Sequence, residues 1–276
     1  MHAVAQACKS EEMKSFVELS DVKVSYSGGL LHRAPKVDAL RGVSIHLNQG
    51  ERHGLVGESG SGKSTLGRVI LGLERPSHGS VSVAGFNPFA LSKSERHEFR
   101  RRVQLVFQDS LAAFNPRLTI GKSLGEGLEI HNICKSSQRS DRIAMLLETV
   151  GLPQEFADRF PHQVSGGQRQ RVNIARALSV EPDVLVADEP VSALDVSIQA
   201  EVLDLFEDLQ RELNLTTLFI SHDLNVIHEA SDYLWVLKDG EIVEKGATKQ
   251  IFSGPEHEYT NLLLGSLPGQ GLQAAY

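Results

Sequence analysis

The chain is expected to adopt an α/β fold, and three stretches carry that expectation. Residues 51–56 form a short strand that runs directly into a glycine loop, Gly57-Glu58-Ser59-Gly60-Ser61-Gly62-Lys63-Ser64-Thr65, followed by helical periodicity over 64–73. Residues 184–187 are wholly apolar, as strands of a parallel sheet covered on both faces tend to be, and they deliver Asp188-Glu189. Between Asp109 and about Val180 the patterns turn mainly helical, notably over 141–150 and 168–178, which reads as a helical subdomain inserted into an α/β core.

The remaining elements follow in order. Residues 16–19 and 22–26 read as two half-buried extended segments, and a Gly- and Pro-containing loop spans 27–35. Residues 43–47 alternate apolar with polar and end at the turn signal Asn48-Gln49-Gly50. The stretch 75–79 closes the helix after the glycine loop, and 103–107 form a buried strand that delivers Gln108. A helix over 197–213, a strand over 217–220 and a hairpin over 233–246 turned at Asp239-Gly240 come next. Residues 249–264 are helical in pieces. Met13 precedes the first strand, so 1–12 read as a loose tail or an over-long start, within an N-terminal tail of 1–15.

Composition narrows the function classes. A chain of 276 residues buries a full core, and one domain with an inserted subdomain suits that length better than two separate domains. A formal net charge of −7 argues against a primary nucleic-acid role. Only Cys8 and Cys134 are present, far apart, which suits a reducing compartment and offers no disulfide framework. No apolar run approaches a bilayer span and the first residues lack a secretory apolar segment, so action at a membrane requires docking on separate membrane subunits. The 11 histidines show no ligand spacing and read as a solvated scatter, giving no histidine metal site.

The candidate chemistry lies at strand ends. In Gly57-x4-Gly62-Lys63-Ser64 the glycines let successive backbone N–H groups face phosphate oxygens, and the helix start adds positive potential. Lys63 is expected to reach the β- and γ-phosphates of a nucleotide and the Ser64 hydroxyl to ligate Mg²⁺. Asp188, at the carboxyl edge of a parallel strand, is expected to hold the metal through water. Glu189 is expected to orient or deprotonate the attacking water. Gln108 is expected to offer an amide oxygen to the metal and sense the γ-phosphate, and His222, after Phe219-Ile220-Ser221, to donate a hydrogen bond to that phosphate.

Val164-Ser165-Gly166-Gly167-Gln168-Arg169-Gln170-Arg171 provides a second hydroxyl and bare backbone at a helix start, hence a second phosphate surface in a chain that already has one. Two such surfaces suggest chains meeting head to tail, each closing the other's nucleotide. The run closely resembles the signature of ABC-type ATPases, with Val164 where that family usually has Leu. The resemblance covers nearly all of 16–246 and implies a P-loop NTPase core, a mixed sheet flanked by helices, with an antiparallel β subdomain and the inserted helical subdomain. An ABC ATPase domain over 16–250 and a C-terminal extension over 251–276 follow from it. It also implies ATP and Mg²⁺ as ligands, Tyr26 against the adenine, and Ser192-Ala193-Leu194-Asp195 at the dimer interface, with Asp195 beside the partner's nucleotide.

A finer likeness lies in residues 108–119, Gln-Asp-Ser-Leu-Ala-Ala-Phe-Asn-Pro-Arg-Leu-Thr, which resemble the oligopeptide, dipeptide and nickel importer branch. His257-Glu258-Tyr259-Thr260, followed by Leu263-Leu264 and Pro268, is similar to that branch's C-terminal stretch, with Glu258 where the branch has Pro and without its later cysteine cluster. The likeness implies the ATP-hydrolysing subunit of an importer, peripheral on the cytoplasmic face of the inner membrane. Its partners would be a second ATPase subunit (the same chain or a sister), two membrane permease subunits and, indirectly, an external solute-binding protein. Peptides lead as cargo, with nickel or another chelated metal behind. An exporter subunit and a soluble non-transport ABC ATPase are the competing readings.

Overall fold

Alternation along the central strands determines what lies on each side of them. The computed structural model describes residues 15–26 and 37–266. The expected tail other than Ser15, the 27–35 loop, Cys8 and Pro268 fall outside those residues. Strands β3 (Arg52–Val56), β5 (Val103–Val106), β6 (Val184–Asp188), β7 (Thr216–Ile220) and β8 (Tyr233–Lys238) run parallel. With β9 (Glu241–Ala247) antiparallel at one edge, they form a sheet of order β5-β6-β7-β3-β8-β9. Leu55, Val184, Val186, Leu218, Ile220, Trp235 and Leu237 face one core, and Val56, Leu185, Ala187, Phe219, Leu234 and Val236 face the other. Successive side chains on a strand point to opposite faces, so apolar residues at every position require cover on both.

The first core is closed by a three-stranded antiparallel sheet of order β2-β1-β4, made of β1 (Ser15–Tyr26), β2 (Val37–Asn48) and β4 (His78–Val83). Helix α1 (Lys63–Ile70) lies in the same core through Leu66, Val69 and Ile70. The second core holds apolar residues of α3 (Ile120–Ile130), α4 (Arg139–Thr149), α5 (Gly166–Leu178), α6 (Val196–Leu213), α7 (Leu224–Ala230), α8 (Thr248–Ser253) and α9 (Glu258–Gly265). Residues 109–180 contain helices and short 3-10 turns and, among the described residues, no strand. Their apolar faces are continuous with the underside of the sheet, so the insert shares the core instead of having one of its own.

Three details differ from the sequence-based expectation. The two segments expected at 16–19 and 22–26 are one strand, bent where Asp21 takes a left-handed φ of 49° and the register with β2 shifts. The stretch expected to end the α1 helix at 75–79 instead opens β4, and Gly79 (φ 92°) lies so close to the Ser20 and Asp21 carbonyls that a Cβ there would sit 2.5 and 2.4 Å from them. Helix α2 (Lys93–Arg102) was not anticipated: it buries only Phe99, although the Ser92–Glu95 capping box at its start and three arginines in its last turn suit a helix well.

His53, on β3, corrects the reading of the histidines as a solvated scatter. It is 1% exposed, its Nδ1 accepts from the Trp235 indole N–H at 3.2 Å, and its Nε2 lies 3.0 Å from Glu51 Oε2. A neutral ring with its proton on Nε2 satisfies both contacts, and burial pushes the imidazole pKa down to about 4. The unfolded chain therefore takes up a proton near pH 6.5, before the folded one does. Stability from this site is full above that pH and is lost as pH falls through the window, at about 1 kcal/mol per pH unit. Urea unfolding from pH 7 to pH 4 is expected to show a shallower decline in His53→Gln than in the wild type; an unchanged slope would contradict the assignment.

Candidate functional site

Four adjacent strands, β5, β6, β7 and β3, end on the same edge of the sheet, and the segments that leave them form the walls of one cavity of about 700 Å³. Ser59, Gly60, Gly62, Lys63, Ser64, Thr65, Gln108, Glu189 and His222 line it, joined by Arg41 and Asp239. Asp188, the last residue of β6, hydrogen-bonds to the Ser64 side chain just behind the wall. The strand–loop–helix order of the sequence thus gathers Lys63, Ser64, Gln108, Asp188, Glu189 and His222 around a single space.

The glycine loop is held by close backbone contact. A Cβ on Gly57 would sit 2.1 Å from the Leu237 carbonyl, and one on Gly62 (φ 109°) would sit 2.4 Å from the Ala39 carbonyl. Gly62 is also the N-cap of α1 and brings no side chain to the helix start, so the first-turn N–H groups there receive no side-chain cap. Lys63 Nζ donates to the Gly57 carbonyl at 2.6 Å and to the Glu58 carbonyl at 2.8 Å, and burial lowers its pKa against the opposing pull of Glu189, Asp188 and Glu58. The Ser61 hydroxyl is buried without a hydrogen-bond partner among the described residues. Uncapped N–H groups, a buried ammonium and an unpaired hydroxyl around a cavity suit a polyanion.

Burial raises the Asp188 pKa, with the Ser64 hydrogen bond opposing that shift. Glu189 has a left-handed φ of 47°, and its side chain lines the cavity. One of its oxygens accepts from Gln108 Nε2 at 3.0 Å, and the other lies 2.7 Å from His222 Nδ1. Gln108 and His222 therefore both hold the Glu189 carboxylate.

Other expected residues lie apart. Tyr26 stands at the rim, 37% exposed, with its hydroxyl 3.5 Å from Thr65 Oγ1. Glu58 is exposed, and its backbone N–H donates to Tyr259 Oη of α9 at 2.9 Å. Ser165, Gly166, Gly167 and Gln168 do not line the cavity. Ser165 and Gln168 form a capping box at the start of α5, and a Cβ on Gly167 would sit 2.4 Å from Ile198 Cγ2 of α6. Asp195 is the exposed N-cap of α6 and makes no side-chain cap bond. Helix α5 is tied to the segment on both sides of Gln108: Asn173 Nδ2 donates to the Phe107 carbonyl at 3.0 Å, Arg176 Nη1 to the Ala113 carbonyl at 2.6 Å and Arg169 Nε to Ser110 Oγ at 3.2 Å.

Sequence reasoning overlooked Arg41 and Asp239. Arg41 lies on an alternating strand and carried no local signal, while Asp239 belonged to a dipeptide read only as a turn.

Fold and cavity together define a phosphate-loop nucleoside triphosphate hydrolase. A family model described as ABC transporter matches residues 40–192. The dipeptide transport ATP-binding protein DppF of Haemophilus influenzae is 49% identical over 241 residues, 87% of this chain and 73% of that protein. The putative oligopeptide transport ATP-binding protein YkfD of Bacillus subtilis is 46% identical over 253 residues, 91% of this chain and 76% of its own length. The ATP-binding cassette MJ0796, in a dimeric post-hydrolysis state bound to ADP and Pi, superposes with a TM-score of 0.74 at 31% identity, covering 84% of this chain and 98% of that one. The chain belongs to the ABC transporter family, and its enzymatic class is ATP hydrolase.

The contact between Gly167 and Ile198 gives that glycine a packing role that can be measured apart from any ligand. Gly167→Ala is expected to lose about 1–3 kcal/mol in urea unfolding through overpacking. Combined with Ile198→Ala, it should lose at least about 1 kcal/mol less than the two single losses added together. Strict additivity would remove the packing explanation.

Proposed function

We propose that this chain is the ATP-hydrolysing subunit of a membrane importer whose cargo is peptides. The observation that carries the proposal is a separation: the cavity holds Lys63, Ser64, Gln108, Glu189 and His222, while Ser165–Gln168 stand outside it at the start of α5. A second molecule brought head to tail would supply its Ser165–Gln168 and Asp195 to complete the cover over the nucleotide. The dimeric MJ0796 cassette supports that assembly. The peptide-transport relatives support the cargo over nickel or another chelated metal, and support a transport role over a non-transport one.

The uncapped start of α1 and Lys63 bind and orient the phosphates, and Tyr26 stacks on the adenine. Ser64 and Asp188, already hydrogen-bonded to each other, fit a Mg²⁺ site, and Gln108, which lines the same cavity as Ser64, would offer its amide oxygen to it. Bound Mg²⁺ supplies neutralisation of charge on the β- and γ-phosphate oxygens. Glu189 takes the proton of the attacking water on a carboxylate lone pair that the contacts with Gln108 and His222 leave open. His222 donates a hydrogen bond to the γ-phosphate.

The membrane partners have a fitting surface. A groove of about 610 Å³ between the helical insert and the sheet is lined by Leu71, Leu73, Phe89, Phe107 and Arg176, with Leu73 69% exposed and Phe107 41% exposed. Two permease subunits, one per ATPase, would dock there, and the external solute-binding protein would act through them. No helix among the described residues is long and apolar enough to cross a membrane. A peripheral position on the cytoplasmic face of the inner membrane is the location that fits this surface.

Glu189→Gln is expected to slow ATP hydrolysis by at least about 100-fold. It should still bind ATP and elute as a nucleotide-loaded dimer in size-exclusion chromatography. Turnover at the wild-type rate would overturn the assigned role.

A further inference from the structure

The C-terminal helix α9 reaches the phosphate loop, and this contact gives the extension a task within the nucleotide site. We propose that Tyr259 is a positioning residue for that loop: its phenolic oxygen accepts the Glu58 backbone N–H at 2.9 Å and so sets the orientation of the peptide from which the loop departs. The proposal rests on the phosphate-loop reading of residues 57–65.

Glu58 is held through both of its backbone polar groups, one in each of the two peptides that flank its Cα. Its N–H is taken by Tyr259 Oη, while its carbonyl accepts from Lys63 Nζ at 2.8 Å and from the Ser61 N–H at 3.2 Å. With that N–H committed to α9, phosphate is left to the amides further along the loop and at the start of α1. Deleting the acceptor leaves a part-buried N–H to find another orientation, and the loop geometry beyond it changes as well.

The ring is itself firmly placed. Tyr259 is 4% exposed, and Lys238 Nζ of β8 sits 4.8 Å from its ring centroid. The turn before α9 is pinned by Glu244 of β9, whose carboxylate oxygens accept from the Glu256 N–H at 2.8 Å and the His257 N–H at 3.1 Å. His257 Nδ1 then caps the helix by accepting from the Tyr259 N–H at 3.1 Å. Burial holds the phenol above its ordinary pKa, so the hydroxyl stays neutral around pH 7. Glu258, which departs from the proline of similar sequences, is the first residue of α9, where proline and an acidic side chain are both favourable. The departure therefore leaves the aim of Tyr259 intact.

The test uses the full chain and three variants. Tyr259→Phe keeps the ring and removes the acceptor, Leu264→Ala loosens α9 without touching that contact, and Lys63→Ala reports on the phosphate loop itself. For Tyr259→Phe the Kd for ADP and the KM for ATP are expected to rise about fivefold, with kcat within about twofold of wild type. Leu264→Ala should lower the melting temperature and keep the wild-type Kd. Amide hydrogen exchange at Glu58 should be slow in the wild type and at least about tenfold faster in Tyr259→Phe. This measurement on the wild type stands even if a variant folds poorly. The proposal is overturned if the wild-type Glu58 amide exchanges as fast as that of Gly60. It is equally overturned if Tyr259→Phe binds ADP as the wild type does while Lys63→Ala does not, or if Leu264→Ala loses as much affinity as Tyr259→Phe. Absence of ADP binding in the wild type would defeat the phosphate-loop reading and this proposal together.

Discussion

Burial of a parallel sheet on both faces is the constraint on which the rest of this molecule depends. Each central strand alternates between two apolar cores, so every one of them needs helices or a second sheet above and below it. Parallel neighbours need long crossover connections, which place helices on those faces and leave consecutive carboxyl ends side by side. Chemistry-bearing residues that follow β3, β5, β6 and β7 therefore meet although up to 165 residues separate them in sequence, as between Gly57 and His222. The strands supply rigidity, and the segments leaving them are free to carry polar groups.

Within that frame, polar satisfaction is divided sharply. The phosphate loop keeps buried groups unpaired or engaged with its own backbone, as Ser61 and Lys63 show. The start of α5 is the opposite case, since Ser165 and Gln168 satisfy each other through a capping box. Glu189 lies between these extremes, with both carboxylate oxygens engaged by Gln108 and His222. Its left-handed backbone is held at some cost in local strain, a circumstance common where a side chain must be aimed rather than merely packed.

Much of this was legible because it rests on local pattern. The Val184–Asp188 strand is apolar at four successive positions, and the glycine loop has a spacing that only a strand–turn–helix unit explains. What escaped notice rests on long-range pairing. Strand β4 presents only two buried side chains, so nothing in its own alternation distinguished it from a loop. Helix α2 hides one phenylalanine among charges. His53 looked like ten others until Trp235, 182 residues away, supplied its hydrogen bond. Arg41 reaches the cavity only because β2 passes beside the loop, and the contact between Tyr259 and Glu58 spans 201 residues.

The three tethers between α5 and residues 107–113 have a mechanical meaning. A 13-residue helix is a stiff rod about 20 Å long, and Asn173, Arg176 and Arg169 stitch its side to the chain on both sides of the glutamine. The three bonds couple the position of the rod to that of the stitched segment. A push delivered to the backbone near Ser110 arrives at the glycine-bearing tip of the rod without having to cross the sheet.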